Sequence, residues 1–195
     1  MQERNLRKSN KQRTEETRAR LMKAARALFV EKGYAETSTP EIVKTAEVTR
    51  GALYHHFEDK LSLFRAVYTT EAKAVSEEID AVTSRDMKPI DAMIIGANAY
   101  FDAMQKDGRA RLLLIDGPAA LSIAEIREID KETGGESLRQ GLEYLKETHD
   151  LDIDPASVAD LLSSMFDRAA LAIQIGEDSA SYRAMMEKVM RNLLD

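Results

Sequence analysis

The stretch Val48-Thr49-Arg50-Gly51-Ala52-Leu53-Tyr54-His55-His56-Phe57 decides how this chain is read. Thr49 is placed to cap a helix N-terminus through its hydroxyl. Ala52 and Leu53 turn inward, and Phe57 follows Leu53 by four residues on the same side. Arg50, Gly51, Tyr54 and His55 are then left pointing outward, so the exposed face of a short helix carries donors suited to phosphates and base edges. Gly51 is a poor helix-interior residue. Close approach of the backbone to another surface is the natural reason for it.

The residues upstream complete the unit. Ser38-Thr39-Pro40-Glu41 has the Ser/Thr-x-x-Glu spacing of a capping box, with proline in the first turn where its missing N–H does no harm. A short helix is expected from about Thr39 to Ala46, with Ile42, Val43 and Ala46 inward. Glu47-Val48 makes a tight turn and Thr49 starts the next helix. Two short helices joined so tightly form a helix-turn-helix, whose second helix enters a DNA major groove.

Gly33-Tyr34, Thr37-Ser38, Ile42, the run from Val48 to Phe57, Lys60 and Leu63-Phe64 together resemble the DNA-binding head of the TetR/AcrR family of transcriptional repressors. The resemblance covers roughly residues 17 to 68, and the spacing from Gly33 to Phe64 holds without a gap. Two positions depart from the pattern. Glu47 stands where the family usually has glycine in the turn, and Pro40 where a charged residue is common. Glu47 puts a carboxylate near the DNA side. The resemblance implies an all-α fold in which a three-helix head precedes a ligand-binding and dimerisation body, about nine helices in all. It also puts Lys60 on the DNA backbone.

The 195 residues suffice for one or two domains with a real core. There is no Cys, which excludes disulfides and thiolate metal sites. No apolar run approaches the roughly 18 residues of a membrane span. The charged N-terminus has no apolar stretch behind it, so no secretory signal is expected, and a soluble cytoplasmic protein is the default. The net charge is −6, but it is unevenly spread. Residues 1–65 hold 14 Lys and Arg against 9 Asp and Glu, whereas residues 66–195 hold 14 against 25. A basic head on an acidic body is the pattern of a nucleic-acid binder with one dedicated surface.

Residues 1–14 read as a flexible arm with Arg4, Arg7, Lys8, Lys11 and Arg13, suited to tracking phosphates or entering a minor groove. Residues 15–60 are the expected head and 61–195 the body. The first helix should run from about Glu15 to Lys32, with Leu21, Ala24, Ala25, Leu28 and Phe29 on one face and Gly33 as its stop. A helix expected from Lys60 to Ser84 would span on the order of 37 Å and link head to body. Further helices are expected over 90–105, 109–115, 121–149, 155–175 and 181–194. Asp116-Gly117-Pro118 should interrupt the chain, and Gly134-Gly135 should weaken the long fourth of the body helices. The last two helices carry surplus apolar surface. They are expected to pair with a second copy as a four-helix bundle.

The function these readings support is a ligand-responsive homodimeric regulator on a palindromic DNA operator. Thr49, Arg50 and Gly51 would meet base edges. Thr37, Tyr54, His55 and Lys60 would meet phosphates, with Tyr54 and His55 also within reach of bases. The candidate effector pocket comprises Met93, Ala97, Tyr100, Phe101, Met104, Leu113, Leu162, Met165 and Phe166, with Asp116 as a possible partner for a cationic ligand or simply a turn former. Nine Met give the interior a soft lining. A cavity among the body helices is what the resemblance implies. No nucleophile elbow, phosphate loop or metal-ligand spacing occurs, so no enzyme, cofactor or metal is expected. The alternative is a helical adaptor whose head no longer reads DNA, favoured only by Glu47.

Overall fold

The structure, a computed structural model, describes residues 10–84, 86–133, 137–149 and 151–194. Among these it contains ten helices and no strand. They are α1 (Asn10–Glu36), α2 (Thr39–Thr45), α3 (Arg50–His56), α4 (Lys60–Asp80) and α5 (Pro89–Met104). α6 is one helical run over 109–120, in which Arg109–Arg111 and Gly117–Ala120 flank a π-turn at Leu112–Asp116. α7 (Ile123–Thr133), α8 (Ser137–His149), α9 (Pro155–Gln174) and α10 (Ser179–Leu194) follow. The chain divides into two compact units, Met1–Val67 and Tyr68–Asp195.

In the first unit the expected α1 ladder is buried in full: Leu21, Ala24, Ala25, Leu28 and Phe29. Ile42, Leu53, Phe57, Leu63 and Phe64 close the core against it. Phe64 meets Phe29 edge-on at 5.2 Å and Tyr34 at 4.6 Å between ring centres, a geometry that favours the aromatic quadrupoles. The first two turns of α4 thus belong to this core. Helical geometry breaks at Gly33 (φ 88°), where only glycine sits without strain, although helical structure resumes to Glu36. The expected arm is only partly within view. Residues 1–9 lie outside the described residues, while 10–14 form the opening of α1.

The capping box forms. The Ser38 N–H and hydroxyl both donate to Glu41 Oε2, at 3.0 and 2.8 Å. The Glu41 carboxylate also accepts from Lys32, and these bonds hold its pKa down to about 2, Lys32 first. Thr49 Oγ1 accepts from the Ala52 N–H at 3.1 Å, the expected cap of α3.

In the second unit, α5 and α9 share the core through Ile94, Phe101, Met104, Leu162, Phe166 and Ile173. α10 docks on α5. The Arg183 guanidinium donates to the Asn98 carbonyl and side chain at 2.9 and 3.1 Å and to Asp102 at 2.6 Å. Arg109 is buried and ties α6 to α4, with Nε 3.0 Å from Glu71 and Nη1 3.1 Å from Glu78. Its remaining need is met by the Ala103 carbonyl at 3.1 Å.

One expectation is corrected. Asp116-Gly117-Pro118 does not interrupt the helix; Asp116 and Gly117 keep helical angles. The π-turn widens the helix locally, and proline enters at the start of the next segment, where no N–H is needed. Gly117 is required there by packing, since a Cβ would lie 2.3 Å from the Tyr68 ring. The helix expected over 121–149 is described as α7 and α8 on either side of residues 134–136, and the ten helices are close to the nine or so expected. Gly134-Gly135 themselves lie outside the described residues. α7 begins with a capping box at Ser122 and Glu125 that the sequence reading passed over.

Candidate nucleic-acid interface and interior cavity

α3 presents one face to the core and one to solvent. Leu53 and Phe57 are buried, whereas Arg50, Gly51, Tyr54 and His55 are exposed. The Arg50 guanidinium lies 5.5 Å from the Tyr54 ring centre, within cation–π range. Hydrogen bonding with Arg50, and then with Thr39, holds the Tyr54 phenol below its ordinary pKa. Arg50, Tyr54 and Thr39 therefore form one polar cluster across α2 and α3, and Thr39 is a member the sequence reading missed. Gly51 is not demanded by the head itself: a Cβ there would meet only Thr49 Oγ1, at 3.9 Å. His56, beside His55 at 5.3 Å, has its pKa lowered by burial and by the neighbouring His55 and Arg18. The Arg18 guanidinium stacks over Phe57 at 5.2 Å.

Two expected phosphate contacts are differently placed. Thr37 is 1% exposed, and its hydroxyl donates to the Gly33 carbonyl at 2.8 Å, which corrects its expected role. The side chain seals the corner between α1 and α2 and has no surface to offer a phosphate. Lys60 turns inward as well. Its Nζ donates to the carbonyls of Tyr34 and Thr37, both at 2.9 Å, and lies 4.3 Å from the Tyr34 ring centre. A cation at a helix N-terminus works against the helix dipole. Here that cost is offset inside the head by carbonyl oxygens left over at the end of α1.

Glu47 is the only non-glycine residue with positive φ (51°) among the described residues. The turn between α2 and α3 needs a left-handed residue, which explains why glycine is usual at this position. The Glu47 carboxylate is not free at the surface. Arg20 reaches it at 3.3 Å and donates to the Glu47 carbonyl at 2.9 Å.

The second unit holds a partly open cavity of about 510 Å³. Six of the ten expected pocket residues line it: Met93, Ala97, Tyr100, Met104, Leu113 and Phe166. Four do not. Phe101 and Leu162 are buried behind the wall, Met165 is exposed, and Asp116 faces Arg111 at 3.8 Å. The face of α9 was misjudged by about one position. The lining side runs through Ser163, Phe166, Asp167 and Leu171, spaced i, i+3, i+4 and i+8.

The reading also missed the acidic groups of the cavity, Asp80, Asp130 and Asp167. A signal was present for Asp167, a carboxylate that follows Phe166 on the apolar side of the helix. Tyr100 Oη donates to Asp167 Oδ1 at 2.5 Å. Burial raises the Asp167 pKa against the effect of that bond. Asp130 is pushed up to about 6 by burial and by the neighbouring Asp167. The Tyr68 and Tyr100 phenols are also raised, by burial first and then by the carboxylates. Among the described residues no cluster suited to a metal ion occurs, and no helix is long and apolar enough to cross a membrane.

Comparison with known proteins agrees with this architecture. Residues 21–67 match the model of bacterial regulatory proteins of the tetR family, and residues 90–195 match a tetracyclin repressor-like C-terminal domain. The HTH-type transcriptional regulator AcrR of Shigella flexneri is 40% identical over 70 residues, 36% of this chain and 33% of that protein. Such matches span about a third to a half of the length of the curated relatives. A TetR-family transcriptional regulator from Pectobacterium atrosepticum superposes with a TM-score of 0.69 at 29% identity, covering 96% of both chains. A tetR family transcription regulator from Shewanella sp. PV-4 shares the fold, with a TM-score of 0.76 at 17% identity over 90% of this chain and 96% of that one. Two family models, one for the helix-turn-helix unit and one for more than half of the chain, lead to one conclusion: the chain belongs to the TetR family of transcriptional regulators.

Proposed function

We propose that this protein is a ligand-responsive homodimeric repressor that reads a palindromic operator through α2 and α3. One observation carries the reading: Arg50, Tyr54 and His55 stand together on the exposed side of α3 while Leu53 and Phe57 anchor its other side in the core. Thr49, Arg50 and Gly51 meet base edges, and Tyr54 and His55 meet phosphates or bases. Gly51 lets the helix backbone approach the groove floor. Lys60 positions the corner between α1 and α2, so its contribution to DNA binding is through the shape of the head. Two heads would meet half-sites about 34–36 Å apart.

Pairing through α9 and α10 is supported by the apolar side chains these helices leave in solvent: Leu161, Met165, Met185 and Leu193. A small apolar or amphipathic effector occupies the cavity and shifts the population away from the DNA-competent state. The test is a footprint on DNA upstream of the protein's own gene, with gel-shift titration across a salt series. A single protected palindrome and a steep loss of affinity with rising salt are expected. Light scattering should give twice the 21.8 kDa chain mass. Salt-independent or absent DNA binding refutes the proposal and leaves the adaptor reading in its place.

A further inference from the structure

The cavity of the second unit has a wall of unusual character. It is apolar over most of its surface, and its size suits a small-molecule ligand. Yet Asp130 and Asp167 both line it, with Asp80 a third carboxylate, and no Lys, Arg or His lines it among the described residues. Among the described residues Asp167 has one partner, the Tyr100 hydroxyl. Asp130, an exposed residue on the cavity wall, has neither a hydrogen bond nor an ion pair among the described residues. Asp80 and Asp130 are exposed and Asp167 is half-buried, and carboxylates gathered against an apolar wall leave a negative field that a cation would neutralise. Elsewhere in this unit the buried Glu71 and half-buried Glu78 are matched by Arg109. Three aromatic rings, Tyr68, Tyr100 and Phe166, line the same space. Their faces attract a cation that enters without its water.

We propose that the effector is an apolar monocation, of the quaternary ammonium, phosphonium or amidinium class, whose charge is seated between Asp130 and Asp167 against the Tyr68, Tyr100 and Phe166 rings. The proposal rests on the reading of this cavity as the effector site. A delocalised or alkyl-shielded cation loses little hydration on entry, and the apolar wall takes up the rest of the molecule. An anion of the same shape is repelled by the carboxylates. The titratable groups facing Asp130 are Tyr68 and Asp80 of α4, Tyr100 of α5 and Asp167 of α9, all neutral or negative when they ionise. Protonation of the carboxylates therefore weakens cation binding, and affinity rises from pH 5 to pH 8.

The experiment uses the full chain with tetraphenylphosphonium and its isostere tetraphenylborate, titrated by calorimetry at pH 5 and pH 8. The phosphonium is expected to bind at pH 8 at least tenfold more tightly than the borate, and more weakly at pH 5. Asp130→Asn and Asp167→Asn should each lower phosphonium affinity about tenfold or more, in the range seen when one partner of a buried charge contact is removed. Glu128→Gln, on the exposed side of α7, should leave it unchanged. Both Asn variants keep the side-chain shape and an acceptor oxygen while removing the charge; thermal melts without phosphonium check that they fold, and with phosphonium the wild-type midpoint rises while that of the double variant stays fixed. Equal affinity for the two probes, or full phosphonium binding by the double Asn variant, overturns the proposal. Gel shift without probe separates the two readings. DNA binding with no cation preference sinks this inference alone, and carboxylate-dependent phosphonium binding without DNA binding sustains it while sinking the regulator reading.

Discussion

Arg20 donates to the Glu47 carbonyl at 2.9 Å and meets its carboxylate at 3.3 Å, across the one left-handed non-glycine residue of the described chain. A side chain in this conformation costs about 1–2 kcal/mol. An exposed ion pair returns about 0–1 kcal/mol. Glu47→Gly is therefore expected to stabilise the head by up to about 2 kcal/mol. Glu47→Ala keeps the strained backbone and loses the pair, so it should not stabilise. Thermal melts of the two variants decide this, and a gain with alanine equal to that with glycine would sink it.

Arg50→Ala should weaken specific operator binding by about 1–3 kcal/mol, the worth of a well-placed bidentate base contact. Thermal stability should hardly move, because Arg50 is exposed and the core lies on the other side of α3. Gly51→Ala should raise stability by about 0.5–1 kcal/mol, since the head has room for the methyl group. The same change should lower DNA affinity. A paired melt and gel shift reads both halves; unchanged affinity in either variant would contradict the placement of α3 in the groove.

Lys60→Met separates two roles. As a lock on the Tyr34 and Thr37 carbonyls, Lys60 makes charged hydrogen bonds, and its loss should cost about 1.5–3 kcal/mol of stability. As a phosphate contact it would leave stability untouched and lower the salt slope of DNA binding by about 1. We expect the first result in denaturant unfolding.

The pH dependence of the two units should differ in sign. Asp130, raised to about 6 in the folded protein, contributes stability that is fully present below its ordinary value near 3.8 and is lost as pH rises through about 6. Asp167 acts in the same direction. Glu41, lowered to about 2, contributes stability present above its ordinary value of 4.5 and lost as pH falls through about 2. Unfolding of the ligand-free protein followed at pH 5 and pH 8 should show wild type losing stability toward pH 8 and Asp130→Asn losing less. An identical slope in the variant would show that Asp130 does not titrate in this window.

Gly117→Ala should be among the most disruptive single-methyl changes, at about 1–3 kcal/mol. The added Cβ would meet the Tyr68 ring at 2.3 Å, and that ring is part of the cavity wall. Stability and phosphonium affinity should fall together. Loss of neither would mean that α6 shifts freely.

Much of this was written along the chain, because its causes are local. The capping box at Ser38 and Glu41, the Thr49 cap and the apolar ladder of α1 depend on residues within a turn or two of each other. Helical periodicity alone put Leu53 inside and Arg50 outside. What tertiary packing decided involves groups far apart in sequence. Lys60 lies 23 and 26 residues from the carbonyls that claim it, and Tyr100 is 67 residues from Asp167. A cation at a helix start or a carboxylate in an apolar stripe can be seen in the sequence, but its partner cannot. The energy that settles where a charge points comes from whichever groups the fold brings within a few ångströms. The sequence by itself determined the helices of the head and the outward face of α3. Only the packed body decided which carboxylates stand in the cavity wall without a cation.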